Sequence, residues 1–272
     1  MKCEVCPRHC EIKPGQYGVC GARINLDGEI RCDSYGIVTA LSLDPIEKKP
    51  LRRFFPGSNI LSAGSYGCNL RCSFCQNHHI SMVRKPEQYV KLSPIELSEK
   101  AAEFKKNGNI GLAYTYNEPL IAYEFVRDCA IIIAEQGMKN VVVTNGYINQ
   151  EPLSELLPLI DAWNIDLKSF SDDFYRRIGG DVKTVKQTIT LAATVSHVEV
   201  TTLVIPGEND SDEEMRQLTK WLASVDPGIP LHVSRFFPNF NMKDRPATPV
   251  DRILRLAEIA RESLQYVYEG NL

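Results

Sequence analysis

The chain has no apolar run long enough to cross a bilayer: the longest, around residues 130–134, is closed off by Asp128 and Glu135. It lacks the apolar stretch of a secretory leader, since Met1–Cys10 is polar and dense in cysteine, and the expectation is a cytoplasmic protein. Neither sign of charge dominates. Lys and Arg number 31 against 34 Asp and Glu, a net charge of -3, so no global field draws the chain to nucleic acid. Tandem repeats and low-complexity segments are absent as well. What remains is an ordinary globular composition, 43% hydrophobic and 24% charged over 272 residues, enough for one barrel-sized domain with a small appendage.

Cysteine, by contrast, is plentiful. Nine cysteines would suggest disulfides in a secreted chain, but in a reducing compartment they point to metal. Their distribution agrees: Cys3, Cys6, Cys10 and Cys20 crowd the start, Cys68, Cys72 and Cys75 form a second group, and Cys32 and Cys129 stand alone as expected buried thiols.

Residues 1–57 show no clear periodicity and read as a cysteine-rich metal-binding module too small for a large core. From Asn59 onward, strand-length apolar runs alternate with amphipathic helix patterns, the mark of repeated βα units and a parallel sheet. Strands are expected at Ile60–Ser65, Ile110–Thr115, Asn140–Thr144, Ala162–Leu167, His197–Ile205 and Leu231–Phe236. Helix starts are marked by Ser93-Pro94-Ile95-Glu96, by Ser211-Asp212-Glu213-Glu214 and by Thr248-Pro249-Val250-Asp251. Six units are too few to close an eight-stranded barrel. The expected fold is therefore α/β, an open six-stranded (β/α)6 partial TIM barrel over residues 58–272 with the small N-terminal module before it.

Ligands in such folds sit beyond the carboxyl ends of the strands. There the first strand runs into Gly67-Cys68-Asn69-Leu70-Arg71-Cys72-Ser73-Phe74-Cys75-Gln76-Asn77. Three thiolates spaced C-x3-C-x2-C can wrap three irons of a [4Fe-4S] cube and leave the fourth open to a ligand. A structural zinc, with His78 or His79 as fourth ligand, is the other reading of the same spacing. Further strand ends carry polar groups: Asn117-Glu118-Pro119, Thr144-Asn145-Gly146, Asp166 with Lys168 on one face by period two, and Arg235. A carboxylate and amide at the second strand end can receive the ammonium of an amino acid. An Asp–Lys pair can hold a ribose hydroxyl, a carboxylate or a cation.

The cysteine loop, with its aromatic before the last cysteine, resembles the signature of the radical S-adenosylmethionine (SAM) superfamily. The resemblance implies that Cys68, Cys72 and Cys75 ligate a [4Fe-4S] cluster whose open iron chelates the methionine end of SAM. Reductive cleavage then yields methionine and a 5′-deoxyadenosyl radical that abstracts hydrogen. It also implies Phe74 near the adenine, Asn117 and Glu118 as counterparts of the family's Gly-Gly-Glu contact, and Thr144, Asn145, Asp166, Lys168 and Arg235 among the SAM contacts. A low-potential reductant such as flavodoxin or ferredoxin is the implied electron donor.

Thr144-Asn145-Gly146, Asn164-Ile165-Asp166-Leu167-Lys168 and Val204-Ile205-Pro206-Gly207-Glu208-Asn209-Asp210 resemble the pyruvate formate-lyase-activating branch over roughly residues 60–240. Asp44-Pro45-Ile46-Glu47-Lys48-Lys49-Pro50-Leu51 and Cys72-Ser73-Phe74-Cys75-Gln76-Asn77 are similar to the AmmeMemoRadiSam radical SAM proteins, which implies Memo-like and AMMECR-like partners. There are departures. The last core strand ends in Arg235-Phe236-Phe237 where an activase has a histidine, and Val143 stands where an activase offers an acid.

At the N-terminus, Cys3-x2-Cys6-x3-Cys10-x9-Cys20 is a closed set of four thiolates, suited to structural zinc or a second [4Fe-4S] cluster. Lys48, Lys49, Arg52 and Arg53, interleaved with Leu51, Phe54 and Phe55, read as a solvated basic face; a docking strip for an anionic substrate, a partner or RNA is the sharper alternative. The expected function is radical SAM modification of an unidentified small molecule or RNA. A glycyl-radical activase acting on a partner enzyme and a non-enzymatic zinc-stabilised scaffold are the rivals.

Overall fold

In a computed structural model, which describes residues 1–272, the chain opens with two short strands, β1 (Arg23–Leu26) and β2 (Glu29–Cys32). Next come β3 (Ile37–Val38), β4 (Ala40–Pro45), β5 (Asn59–Gly64), α1 (His78–Ser81), β6 (Val90–Lys91), α2 (Pro94–Glu103) and β7 (Asn109–Tyr114). The remainder alternates: α3 (Tyr123–Glu135), β8 (Lys139–Thr144), α4 (Gln150–Leu156), β9 (Ala162–Asp166), α5 (Asp172–Ile178), α6 (Val182–Ala193), β10 (His197–Val204), α7 (Asp212–Val225), β11 (Leu231–Arg235), α8 (Val250–Arg261) and β12 (Val267–Gly270).

The main sheet has the order β12-β11-β10-β9-β8-β7-β5-β4. Its neighbours are parallel from β5 through β12, and only β4 runs antiparallel, against β5. All six expected strands are present, each starting and ending within one residue of its expected limits. Two more flank them. β12 is four residues long and β4 lies inside the span read as the N-terminal module, yet its ladder belongs to the main sheet. No ladder joins β12 to β4, so a gap is left between the edge strands.

Local chemistry accounts for the helix starts. Ser93 caps α2 reciprocally with Glu96: Glu96 N donates to Ser93 Oγ (3.3 Å), and Ser93 N donates to Glu96 Oε2 (2.7 Å). At α7 only half of the expected box forms. Ser211 accepts from Glu214 N, but the Glu214 carboxylate turns to Ser169 Oγ and Phe170 N, tying α7 to the loop after β9. Thr248 does not cap α8; its hydroxyl donates to Val204 O (2.6 Å), which joins the α8 entrance to β10.

The basic segment is a solvated face only in part: Lys48, Arg52 and Arg53 are exposed, but the residues between them turn inward. Ile46 and Leu51 are fully buried against Ile60, Ala113, Val141 and Ala162 inside the sheet. Pro50 O accepts from Asn164 Nδ2 (2.9 Å), and the amides of Arg52 and Arg53 donate to Glu199 (3.0 and 2.8 Å). Lys49 is only 3% exposed, its Nζ 2.9 Å from Asp44 and 4.7 Å from the Tyr116 ring centre. Arg53 lies over the Tyr266 ring. Residues 46–53 therefore plug the end of the barrel where the strands begin, with Ile46, Lys49 and Leu51 buried and Lys48, Arg52 and Arg53 left at the surface. Leu51→Ala should cost about 2–5 kcal/mol of unfolding free energy, with the hollowed plug unable to collapse fully; chemical denaturation of the two proteins measures the difference.

Candidate active site

The loop after β5 is held by backbone and amide hydrogen bonds before any ligand is considered. Asn117 Oδ1 accepts from Ser65 N (2.9 Å), while its Nδ2 donates to the carbonyls of Tyr66 (3.0 Å) and Gly67 (3.1 Å). Gly67 has φ +84°, and a Cβ there would lie 2.5 Å from Cys20 O. That carbonyl accepts from Cys68 N at 3.1 Å. Asn69 Nδ2 donates to Tyr147 O (2.6 Å) and Arg71 N to Ile178 O (2.8 Å), so the loop is tied to the segment after β8 and to the end of α5.

Cys68, Cys72 and Cys75 line one cavity of about 570 Å3. Phe74, buried beside Phe174, lines it too, as do Asn117, Glu118, Thr144, Asn145, Asp166 and Lys168. Every expected contact but one is therefore gathered around a single space. The exception is Arg235. Its Nε donates to Thr248 O (2.6 Å) and its guanidinium lies over Phe237, outside the cavity lining. Period two explains it: His232 and Ser234 face inward, so the next residue faces out.

Glu118 is 2% exposed. Burial pushes its carboxyl up to about 7 against three donors, Asn145 N (2.8 Å), Thr144 Oγ1 (2.7 Å) and Leu120 N (3.0 Å), which pull it down. Asn145 Nδ2 donates to Asn69 Oδ1 (2.9 Å) and stands 3.6 Å from Cys68 Sγ. Asp166 and Lys168 form a 2.9 Å ion pair that is partly buried, not a surface pair. Burial works against the Lys168 ammonium, but its ion pair with Asp166 keeps it charged, above its ordinary range.

The thiols fit a metal cluster better than a nucleophile. Burial pushes Cys72 up to about 11 and Cys68 higher still, so as free thiols they stay protonated and inert, and coordination is what would ionise them. No fourth cysteine lines the cavity, and neither His78 nor His79 does. His78 instead stacks on Phe240 at 4.5 Å. No three His, Cys, Asp or Glu side chains are drawn into a closed metal-ligand set, here or elsewhere.

Cys3, Cys6, Cys10 and Cys20 share the lining of a small, mostly apolar pocket with Arg8, Arg23 and Asn69. His9 is not in that lining; its Nδ1 lies 2.7 Å from Glu4.

Sequence reasoning missed the lower cavity. Lys49, Tyr116, Asn164, Thr201 and His232 line it. Behind His232 sits Glu199, with no exposed side-chain surface, accepting from His232 Nε2 (2.6 Å), His197 Nε2 (2.9 Å) and the two plug amides. The available signal was polar residues at alternate positions inside strands, Glu199 with Thr201 and His232 with Ser234.

A sheet curled around a polar cavity, with three thiols on one loop at its carboxyl edge, defines an α/β protein with a ligand cavity at its strand ends. The radical SAM superfamily profile matches residues 63–219. Over 277 aligned residues the chain is 40% identical to uncharacterized protein MJ0808 of Methanocaldococcus jannaschii, covering 100% of this chain and 81% of that one. It is 29% identical over 170 residues to the pyruvate formate-lyase-activating enzyme of Clostridium pasteurianum, 58% of this chain and 67% of that protein. The solved structure of Streptococcus suis SuiB superposes with a TM-score of 0.60 at 14% identity, over 76% of this chain and 48% of that one, a likeness of fold. The chain belongs to the radical SAM superfamily, and membership implies a [4Fe-4S] cluster and SAM. No helix is long and apolar enough to cross a membrane.

Burial alone would raise the Glu199 carboxyl, but the two histidines and two amides hold it down at about 2, below the ordinary 4.5. A depressed carboxylate stabilises the fold above the unfolded value, and that contribution is lost as pH falls from about 4.5 towards 2. Glu199→Gln should therefore lose on the order of 3 kcal/mol at neutral pH. The gap to wild type should narrow through the same acid window in denaturation series run at each pH.

Proposed function

We propose that this protein cleaves SAM reductively at a cluster on Cys68, Cys72 and Cys75 and uses the resulting radical to abstract hydrogen from a small molecule bound deeper in the same cavity. The observation that carries this reading is the sharing of one cavity by the three thiols, the Glu118–Asn145 and Asp166–Lys168 pairs and a polar floor. When bound, the cluster supplies the electron that splits the sulfonium C–S bond, leaving methionine and a 5′-deoxyadenosyl radical.

The chain's own residues have separate tasks in this proposal. Asn145, 3.6 Å from Cys68 Sγ, offers an N–H to a ligating sulfur, a contact of the kind that tunes cluster potential. Three donors occupy Glu118, and a carboxylate has about four lone-pair sites. One site is left for the ammonium of SAM's methionine. Lys168, kept charged by Asp166, receives its carboxylate or the ribose hydroxyls. Phe74 packs against the adenine, and Asn117 braces the loop from behind. A cavity interior supports a small molecule over RNA, and the reductant is a flavodoxin or ferredoxin met in the cytoplasm. Memo-like and AMMECR-like partners rest on the two motifs similar to AmmeMemoRadiSam proteins.

A second reading, installation of a glycyl radical on a partner enzyme, is favoured by the Clostridium pasteurianum relative. Electron paramagnetic resonance of a candidate partner after incubation with SAM and reductant separates the two. We also assign residues 1–57 and 58–272 as two units, with Cys3, Cys6, Cys10 and Cys20 holding zinc or a second cluster.

Anoxically reconstituted protein should be brown and should release methionine and 5′-deoxyadenosine on addition of dithionite and SAM. Cys72→Ala should abolish both while circular dichroism stays unchanged; a colourless wild-type protein carrying only zinc sinks the proposal. Metal analysis of Cys6→Ser should show loss either of zinc or of the iron in excess of one cluster, with the SAM-binding cluster's iron retained. Unchanged metal content removes the N-terminal assignment.

A further inference from the structure

Below the strand ends the cavity changes character. Lys49 rises from the plug into its lining, His232 reaches it from β11, and exposed Arg52 borders it. The carboxylates that pair with the first two stand behind them: Asp44 holds Lys49 at 2.9 Å and Glu199 holds His232 at 2.6 Å, and neither lines the cavity. The space is thus presented with the basic member of each pair. His232 Nδ1 takes no protein partner and is not sealed from solvent, so with Nε2 on Glu199 the other ring nitrogen is left for a ligand.

A buried Lys–Asp ion pair with a buried His–Glu pair beside it is a poor way to stabilise a barrel floor. Desolvation offsets their attraction, and apolar residues of similar size would pack there at least as stably. Nor are they remnants of a charged surface, since Lys49 and His232 are 3% and 5% exposed. The acids that do line this end are engaged elsewhere. Glu47 accepts from Gly57 N (2.7 Å), and Glu269 pairs with Arg261 (2.6 Å).

Tyr116 shows that the arrangement is built. It holds φ +70°, rare for a residue with a side chain, and its ring fits because a Cβ on Gly64 would lie 2.8 Å from it. The hydroxyl donates to Asp44 at 2.6 Å, fixing the acid under Lys49.

We propose that Lys49 and His232, with Arg52 at the rim, form a subsite for an anionic group of the substrate, a carboxylate or a phosphate monoester. The proposal deepens the preceding reading and rests on it for the word substrate, but the subsite itself requires no cluster. The anion's oxygens would take the free Lys49 N–H and, once His232 is protonated, its Nδ1–H, and the two acids behind would stay in place. The substrate would then lie with its charged end at the plug and the rest of the molecule towards the thiol loop.

Isothermal titration of the reconstituted full chain with potassium acetate and, separately, inorganic phosphate tests this. One of the two should bind saturably and identify the source of the charge. Lys49→Met and His232→Gln should each weaken it about tenfold or more, the loss expected for one charge-assisted hydrogen bond. Should either variant fail to fold by circular dichroism, histidine-selective nuclear magnetic resonance of wild type decides: the His232 ring signal must move with the same saturation curve. Binding of neither anion, binding equally tight in both folded variants, or an unmoved His232 signal overturns the subsite. Absence of SAM cleavage with saturable anion binding would instead reject the enzymatic reading and leave the subsite standing.

Discussion

A parallel sheet that curls without closing has an interior that must be stopped at one end, and here a buried carboxylate holds the stopper. Glu199 takes two histidine N–H groups and two amides of the segment at Arg52 and Arg53, so one side chain on β10 joins the plug, β10 itself and β11. Without a stopper the polar cavity above would open through the barrel to water. The apolar half of the closure, Ile46 and Leu51, contributes the burial, and the carboxylate fixes the direction in which the backbone enters. Lys49 can project upward only because both sides of it are anchored.

The opposite end depends on amides. Asn117 braces the loop at Tyr66 and Gly67, Asn145 links Glu118's surroundings to Cys68, and Asn69 connects that group to Tyr147. Each uses both ends of its amide, which sets the loop's shape without adding charge near the thiols. The charges are kept one step away, in Glu118 and in the Asp166–Lys168 pair.

Much of this was legible because it is local. The C-x3-C-x2-C loop, the alternation of strand and helix and the inward face shared by Asp166 and Lys168 need only short spacings. The plug was not legible, since Arg52 and Glu199 are 147 positions apart and a run of Lys and Arg reads as surface until Leu51 is seen inside the sheet. The edge strands escaped for a related reason: β4 precedes the repeating pattern, and β12 is too short to show one. Arg235 failed by a single residue, its neighbour Ser234 being the one that faces in. The second cap box failed because Glu214 found better donors in the loop after β9.

The placement of β4 and the plug ahead of the first βα unit has a bearing on how this molecule can be dissected. Trimming the chain to its repeating portion would strip an edge strand, uncork the barrel and remove the carbonyl of Cys20 on which the Cys68 amide rests. The cysteine-rich segment is thus less an ornament on a finished barrel than the scaffold on which its first strand and its three-cysteine loop are laid.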